Sequence, residues 1–455
     1  MDITSLQQPP AMCIGLEVHV ALHTKTKLFC ACPVVFSAPP NSQCCPICLG
    51  FPGTLPALNQ KALFLGATAG FLTKCKVHSI SQMARKHYYY PDSPKGYQRT
   101  QAQYPLCTQG AIDIPGEGNK LKTVPITRIH IEEDAGKSIH QGGKTFLDYN
   151  RCGVPLIEIV SAPVLSSAQE AVSYLKSLRQ LLIYGNVTKG KMNEGDFRCD
   201  VNISLQSSSG KSLTPRMEVK NLNSFQSVQD AIGYEYQRLF SYLEKNESLL
   251  PQTRGFNQKT KRTFLLRNKE QEEDYQIITD PNFYPVFLPD DLLKEISSSL
   301  PLAPWQRESN YMSVYALTPY QAKQLSNEKE IGDYFDKATT FPTHPPTLAN
   351  MIITDAFKLL PPQSSTIPIS PEYFALLAQL VHEEKINSSI GKKLVALLWE
   401  KNQDPYTYIE THCLWQINDE EILLQAIHQV FCENPALLAD YKRGKTAVSK
   451  SLIGK

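Results

Sequence analysis

The sequence predicts an α+β protein with a large, mostly antiparallel sheet in its first two thirds and helices in the remainder. Three observations predict it. Up to about residue 292, short runs that alternate apolar and polar residues (14–20, 123–131, 156–160 and 201–205) are separated by Pro and Gly, as strands with one buried face are. Stretches 60–72, 167–182 and 227–243 carry apolar residues at three- and four-residue spacing, which gathers them on one side of a helix. From about residue 290 the alternating runs give way to helical segments at 319–325, 371–382 and 390–401, joined by Pro-rich connectors at 341–347 and 360–368. Short helices at 419–431 and 435–441 follow. The expected division is therefore 1–291, mixed sheet and helix; 292–404, all helical; and 405–455, a short helical tail.

Composition sets the outer limits. With 455 residues, 42% of them hydrophobic and 20% charged, the chain is long enough for several cored domains. No run reaches the roughly 20 apolar residues a membrane helix needs, and residues 1–10 lack the basic-then-apolar order of a signal peptide, so no membrane association and a cytoplasmic location are expected. A net charge of +2 argues against a polyanion binder held by bulk electrostatics and leaves room for local basic patches.

The first strand, Ile14-Gly15-Leu16-Glu17-Val18-His19-Val20, turns Leu16, Val18 and Val20 toward a core and leaves Glu17 and His19 together on the other face. By itself, Glu-x-His on a strand is what any half-solvated sheet shows. Further carboxylates recur on strands: Glu132 and Glu133 after His130, Glu158 within 156–160, Glu194 near Arg198, and Glu218 two residues before Lys220. Several Glu side chains and one His drawn from separate strands make an oxygen-rich site suited to Mg²⁺, which takes a few carboxylates and otherwise keeps water and phosphate oxygens. Cations for a phosphate are available at Arg198, Lys220, Arg254 and elsewhere. No Walker loop, Rossmann glycine motif or Gly-x-Ser-x-Gly elbow is present, so a nucleotide site would be sheet-based and a side-chain nucleophile for acyl transfer is not indicated.

Five of the 12 cysteines crowd into residues 30–48. Cys30-Ala31-Cys32 and Cys45-Pro46-Ile47-Cys48 are two close pairs able to bring four thiolates into the tetrahedron of a structural Zn²⁺, a closed shell that braces a loop and leaves no open position for chemistry. Cys44 is the spare thiol. A redox C-x-x-C pair is the other reading, although it gives Cys30 and Cys32 no role.

Longer motifs carry a resemblance. Gly15-Leu16-Glu17-Val18-His19-Val20, Cys45-Pro46-Ile47-Cys48-Leu49-Gly50, Tyr90-Pro91-Asp92, Pro94-Lys95-Gly96-Tyr97-Gln98, Ile131 to Lys137, Pro155-Leu156-Ile157-Glu158-Ile159-Val160, Arg198-Cys199-Asp200-Val201-Asn202 and Glu218 to Phe225 together resemble the B subunits of the aspartyl/glutamyl-tRNA(Asn/Gln) amidotransferase family. The resemblance implies a cradle-like catalytic domain similar to that of glutamine synthetase, a helical domain and a tail that grips tRNA. It implies phosphorylation of the side-chain carboxylate of misacylated Glu-tRNA(Gln), Asp-tRNA(Asn) or both with ATP and Mg²⁺. Amidation then follows with ammonia from a partner, the amidase or A subunit, while a small third partner, the C subunit, braces the pair. The family's metal positions match Glu17, His19, Glu132 and Glu218. Glu133, Glu158, Glu194, Arg198, Lys220 and Arg254 are implied around the ATP, and Cys30, Cys32, Cys45 and Cys48 as the Zn²⁺ ligands.

The chain departs from the family pattern in places. Amides stand at Gln252 and Asn257 where the family carries acids, Gln276 replaces a basic residue, and Ala162 replaces a Glu. The tail is expected to stop before the family's last two helices, with a weaker hold on tRNA. These departures also fit a second reading, a non-catalytic paralogue that serves as a tRNA-binding or assembly scaffold.

Overall fold

The computed structural model describes residues 9–116, 121–268, 276–361, 364–417 and 419–454. It divides into two compact units, residues 1–304 and 305–455.

The first unit is built on a nine-stranded sheet. Its strands are β1 (Ala11–Ala21), β2 (Lys76–Val77), β3 (Cys107–Pro115), β4 (Leu121–Glu133), β5 (Pro155–Ser161), β6 (Phe197–Gln206), β7 (Met217–Leu222), β8 (Gln252–Asn257) and β9 (Arg262–Asn268). They lie in the order β9-β8-β7-β6-β1-β5-β4-β3-β2, with β1 central. Every neighbouring pair is antiparallel except β7 and β8, which run parallel because α3, introduced below, crosses between them. The predicted strands are present and each is longer than its alternating run.

One face of this sheet is apolar. Ile14, Leu16, Val18 and Val20 of β1 are fully buried in a continuous core with Ile129 and Ile131 of β4, Ile157 and Ile159 of β5, Val201 and Ile203 of β6 and Val219 of β7. Three helices cover it: α1 (Gln60–Leu72), α2 (Ala168–Tyr184) and α3 (Phe225–Glu244). Each starts at a side-chain cap that satisfies a backbone N–H the helix cannot pair itself: Asn59 accepts from Lys61 N, Ser167 from Glu170 N and Ser224 from Ser227 N. Leu175, Leu178 and Leu182 of α2 and Val228, Ala231 and Ile232 of α3 fill the same core. Helix Asp290–Ser298 also belongs to this unit, since Ile296 is buried in that core although its sequence texture is that of the helical region.

The second unit is helical around a separate core that includes Phe335, Leu348, Ile352, Phe374, Leu377 and Leu398. Its prolines mark beginnings more than connectors. Pro319, Pro345, Pro371, Pro405 and Pro435 each open a helix, where the missing N–H has no intrahelical partner to lose. Segment 341–347, read from sequence as a connector, thus contains the first turn of helix Pro345–Met351. No helix among the described residues is long and apolar enough to cross a membrane.

Candidate functional site

The face of the sheet opposite the helices carries the chemistry, and strand register assembles it. Because side chains alternate, Glu17 and His19 of β1 point away from Leu16 and Val18. In the β1–β6 ladder Glu17 stands opposite Asp200 and His19 opposite Arg198; in the β1–β5 ladder His19 stands opposite Glu158. Glu158 in turn pairs with His130 of β4, and Asn202 of β6 with Glu218 of β7.

Two clusters result. In the first, ligand atoms of His19, Glu132 and Glu158 lie within 4.8 Å of one another. His19 Nε2 is 3.5 Å from both carboxylates, and His130 Nε2 approaches Glu158 at 3.3 Å from the buried side. Burial alone would lower both imidazoles. Bonding to Glu158 and the charge of Glu132 overcome it at His19, and bonding to Glu132 and Glu158 does so at His130, carrying each to about 9. Glu158 is itself held well below the ordinary carboxylate range: burial opposes this, but its bonds to His130 and His19 prevail.

The second cluster joins Glu17, Asp200 and Glu218 within the same 4.8 Å. Its geometry is tied down on all sides. Asn202 Nδ2 donates to Glu17 at 2.9 Å, Thr253 Oγ1 of β8 to Glu218 at 2.9 Å, and Asn221 N to Asp200 at 3.0 Å. Asn221 donates from a left-handed turn of backbone (φ 63°), at the register shift between β6 and β7. Lys220 Nζ reaches Glu218 at 2.9 Å and Asp200 at 3.7 Å. Even so, Glu17 is pushed above its ordinary pKa by burial and then by the neighbouring charges of Glu158, Glu218 and Asp200. Carboxylates crowded against their own repulsion in a half-buried site are a donor set that a divalent cation fits.

The four residues that the resemblance implies as one Mg²⁺ set therefore divide, His19 and Glu132 to the first cluster, Glu17 and Glu218 to the second. Glu158 and Lys220 sit among them. Arg198 is at the rim, its Nη2 bonded to Asp134 at 2.8 Å and its Nε buried with no partner among the described residues. Glu194 lies on a 3₁₀ turn (Met192–Glu194), paired with Lys191 and lining the same cleft as Arg198. Two residues do not join. Glu133 follows the other pleat and is bonded to Lys95 and to Arg99 N. Arg254 lies under α3, 3.2 Å from Glu235 and bonded to Thr263 at 2.9 Å. Asp200 and His130 stand near the expected site residues in the sequence but are not among them, although period two in Arg198-x-Asp200-x-Asn202 and in His130-x-Glu132 puts them on the correct face.

The altered positions have local partners. Asn257 Oδ1 accepts from Lys259 N and Thr260 N in the β8–β9 turn, and Gln252 exchanges bonds with Arg254 and Asn268. The main-chain carbonyl of Gln276 accepts from His87 N, and Ala162 N donates to the carbonyl of Pro125. Residues 269–275, just before Gln276, lie outside the described residues.

A third cluster is made of sulfur. Cys30, Cys32, Cys45 and Cys48 bring their Sγ atoms within 4.8 Å of one another, while Cys44 turns to Asn150. Cys45 starts a one-turn helix (Pro46–Leu49) and its N–H donates to Cys48 Sγ at 3.2 Å. Gly50 ends the turn at φ 73°, where a Cβ would sit 2.5 Å from Lys95 Cγ. Lys27, completely buried, holds its Nζ 3.6 Å from Cys48 Sγ. The bond from Cys30 draws Cys48 down to about 4 against its burial, with the Cys45 N–H and Lys27 assisting. Four convergent sulfurs with one thiolate already favoured fit a tetrahedral metal.

Comparison with known proteins shows the family. The family described as "GatB/GatE catalytic domain" matches residues 12–294, and the one described as "GatB domain" matches 333–455. A protein of Thermotoga neapolitana is 39% identical over 451 residues, covering 97% of this chain and 93% of its own length. One of Persephonella marina is 40% identical over 445 residues (97% and 94%), and one of Clostridium botulinum 38% over 444 (97% and 93%). All three are named as the B subunit of an aspartyl/glutamyl-tRNA(Asn/Gln) amidotransferase. With both family matches and near full-length similarity, the chain belongs to the family of aspartyl/glutamyl-tRNA(Asn/Gln) amidotransferase B subunits.

Proposed function

We propose that the chain is the component of a tRNA-dependent amidotransferase that activates the side-chain carboxylate of misacylated Glu-tRNA(Gln), Asp-tRNA(Asn) or both and converts it to the amide. The observation that carries this is the pair of carboxylate clusters on the open face of the sheet. A carboxylate is a poor acceptor for ammonia until one of its oxygens becomes a leaving group. That oxygen attacks the γ-phosphorus of ATP, the bond to ADP breaks, and the acyl phosphate so formed is attacked by ammonia, which expels phosphate. When bound, Mg²⁺ at Glu17, His19, Glu132 and Glu218, with Glu158 and Asp200, would neutralise the charge that builds on the transferred phosphoryl group. Lys220 and Arg198 set positive charge beside the same oxygens. The sequence carries no Gly-x-Ser-x-Gly elbow to mark a nucleophile for releasing ammonia from glutamine, which suits supply by a partner amidase, braced by a small third protein of the complex.

We assign Zn²⁺ to Cys30, Cys32, Cys45 and Cys48 as a brace, and keep residues 405–455 as a tRNA-contacting tail following a helical region that begins at 305, where the second unit starts, and not at 292. Glu133 and Arg254, bonded elsewhere, are support for the scaffold in this reading and not ATP ligands. The amides at Gln252 and Asn257 act locally, which removes the main argument for a non-catalytic scaffold. The test is to purify the chain with its partner proteins and follow ATP-dependent conversion of Glu-tRNA(Gln) to Gln-tRNA(Gln) and of Asp-tRNA(Asn) to Asn-tRNA(Asn). The reading predicts at least one conversion, lost in Glu218→Gln, with glutaminase activity retained; neither conversion by the intact complex would refute it.

A further inference from the structure

A cleft of about 770 Å³ opens beside Arg198, and one of its walls is the loop that the cysteines close. Residues 33–44 run between the two cysteine pairs, so joining those pairs through one metal fixes both ends of the loop and removes its freedom. The loop is also fastened to the segment 148–150. Asn150 Nδ2 donates to the carbonyl of Pro39 at 2.7 Å, Gln43 N to Asn150 Oδ1 at 2.8 Å, Asn41 N to Asp148 Oδ1 at 3.1 Å, and Tyr149 N to Asn41 Oδ1 at 2.8 Å. Asp148 and Asn150 line the cleft as well. All this holds Phe36 at the lip, lining the cleft yet 67% exposed, with Val35 beside it at 55%. An aromatic ring held that far into solvent has no packing explanation. Four cations line the same cleft, Lys137, Arg151, Lys189 and Arg198, the two arginines paired with Asp134, along with Asp148, Glu194 and Asp196; the buried Nε of Arg198 has no partner among the described residues.

We propose that Phe36 is a stacking platform for a nucleobase, with the attached phosphates directed toward the cations, and that metal binding by the cysteines holds the platform in place. An exposed aromatic beside a row of cations is how proteins bind single nucleotides and unpaired ends, since every base offers a π-face and every phosphate a charge. The ligand chemistry is an adenosine phosphate, whether free ATP or the unpaired 3′ end of tRNA. The inference rests on the function proposed above, and it gives the cysteine cluster a part in substrate binding beyond bracing.

The experiment measures binding of two probes, a non-hydrolysable ATP analogue and a CCA trinucleotide, to the complex with its partner proteins. Wild type, Phe36→Ala, Phe36→Tyr and Cys45→Ser are compared, with metal content and melting temperature recorded for each. Phe36→Ala is expected to weaken one probe roughly 5- to 150-fold at unchanged metal content and melting temperature, and Phe36→Tyr to restore it. The probe affected identifies the source of the base. Cys45→Ser, losing metal, should weaken the same probe. If wild type binds a probe and Phe36→Ala binds both equally well, the platform is refuted; if Cys45→Ser loses metal and still binds normally, the coupling is refuted. Failure of wild type to bind either probe would instead overturn the function on which the inference rests.

Discussion

Glu17 of β1 stands directly opposite Asp200 of β6, and with Glu218 the two carboxylates form a cluster whose ligand atoms lie within 4.8 Å. Asp200→Asn keeps the shape and removes one charge from a crowded acidic set. Apparent Mg²⁺ affinity in the amidation assay should fall about 10- to 100-fold, with activity partly recovered at high Mg²⁺ and the melting temperature not lowered. A Mg²⁺ titration of the variant checks this, and an unchanged midpoint would remove Asp200 from the ion's surroundings.

Asp280 predicts an acid limb. Its side chain is fully buried, 2.6 Å from Arg99 Nε and 3.2 Å from Arg85 Nη2, and accepts from Asn282 N at 2.9 Å. Burial would raise its pKa, but these bonds more than offset it and the pKa is lowered. A carboxylate with a depressed folded pKa contributes stability that is present above its unfolded value of 3.8 and lost as pH falls through the folded value. Asp280→Asn should therefore cost about 3–5 kcal/mol near neutrality and flatten the decline in stability below pH 4. Denaturant melts at pH 7 and in that acid range measure both.

The cysteine cluster predicts a difference between neighbours. Cys48→Ser should lower bound metal and melting temperature together, because Cys48 is one of the four convergent sulfurs. Cys44→Ser should leave both unchanged, since Cys44 faces Asn150. Metal analysis of the two purified variants decides between a metal centre and a set of free thiols.

Asn257 predicts tolerance. Its Oδ1 caps Lys259 N and Thr260 N, a task an Asp performs equally well. Asn257→Asp should change stability by no more than about 0.5 kcal/mol and leave the Mg²⁺ dependence of amidation where it was. A shifted Mg²⁺ midpoint would show that the charge at this position does matter to the site.

Much of this was legible in the sequence. Alternation in 14–20 and at Glu132, Glu158 and Glu218 identified strands and the residues turned from the core, and helices 60–72 and 371–382 have the predicted bounds. Other features were misread or missed for stated physical reasons. Helix Asp290–Ser298 has the texture of the helical region, but its burial is decided by helix α1, against which it packs in the core of the first unit. Arg254 looked like a phosphate ligand because a cation reads the same on either face of a sheet, and it lies under α3 against Glu235.

The sequence by itself determined which side chains share a pleat, because alternation is a property of each strand alone, and it determined the pairs Cys30/Cys32 and Cys45/Cys48, because those are local turns. Only the tertiary structure decided which carboxylates meet. That depends on register between strands as distant in the chain as β1 and β6, where a slip of one residue would send Glu17 away from Asp200 and bury it in the core. Register is set by the packing of the whole sheet against its helices, and no short stretch of sequence contains it.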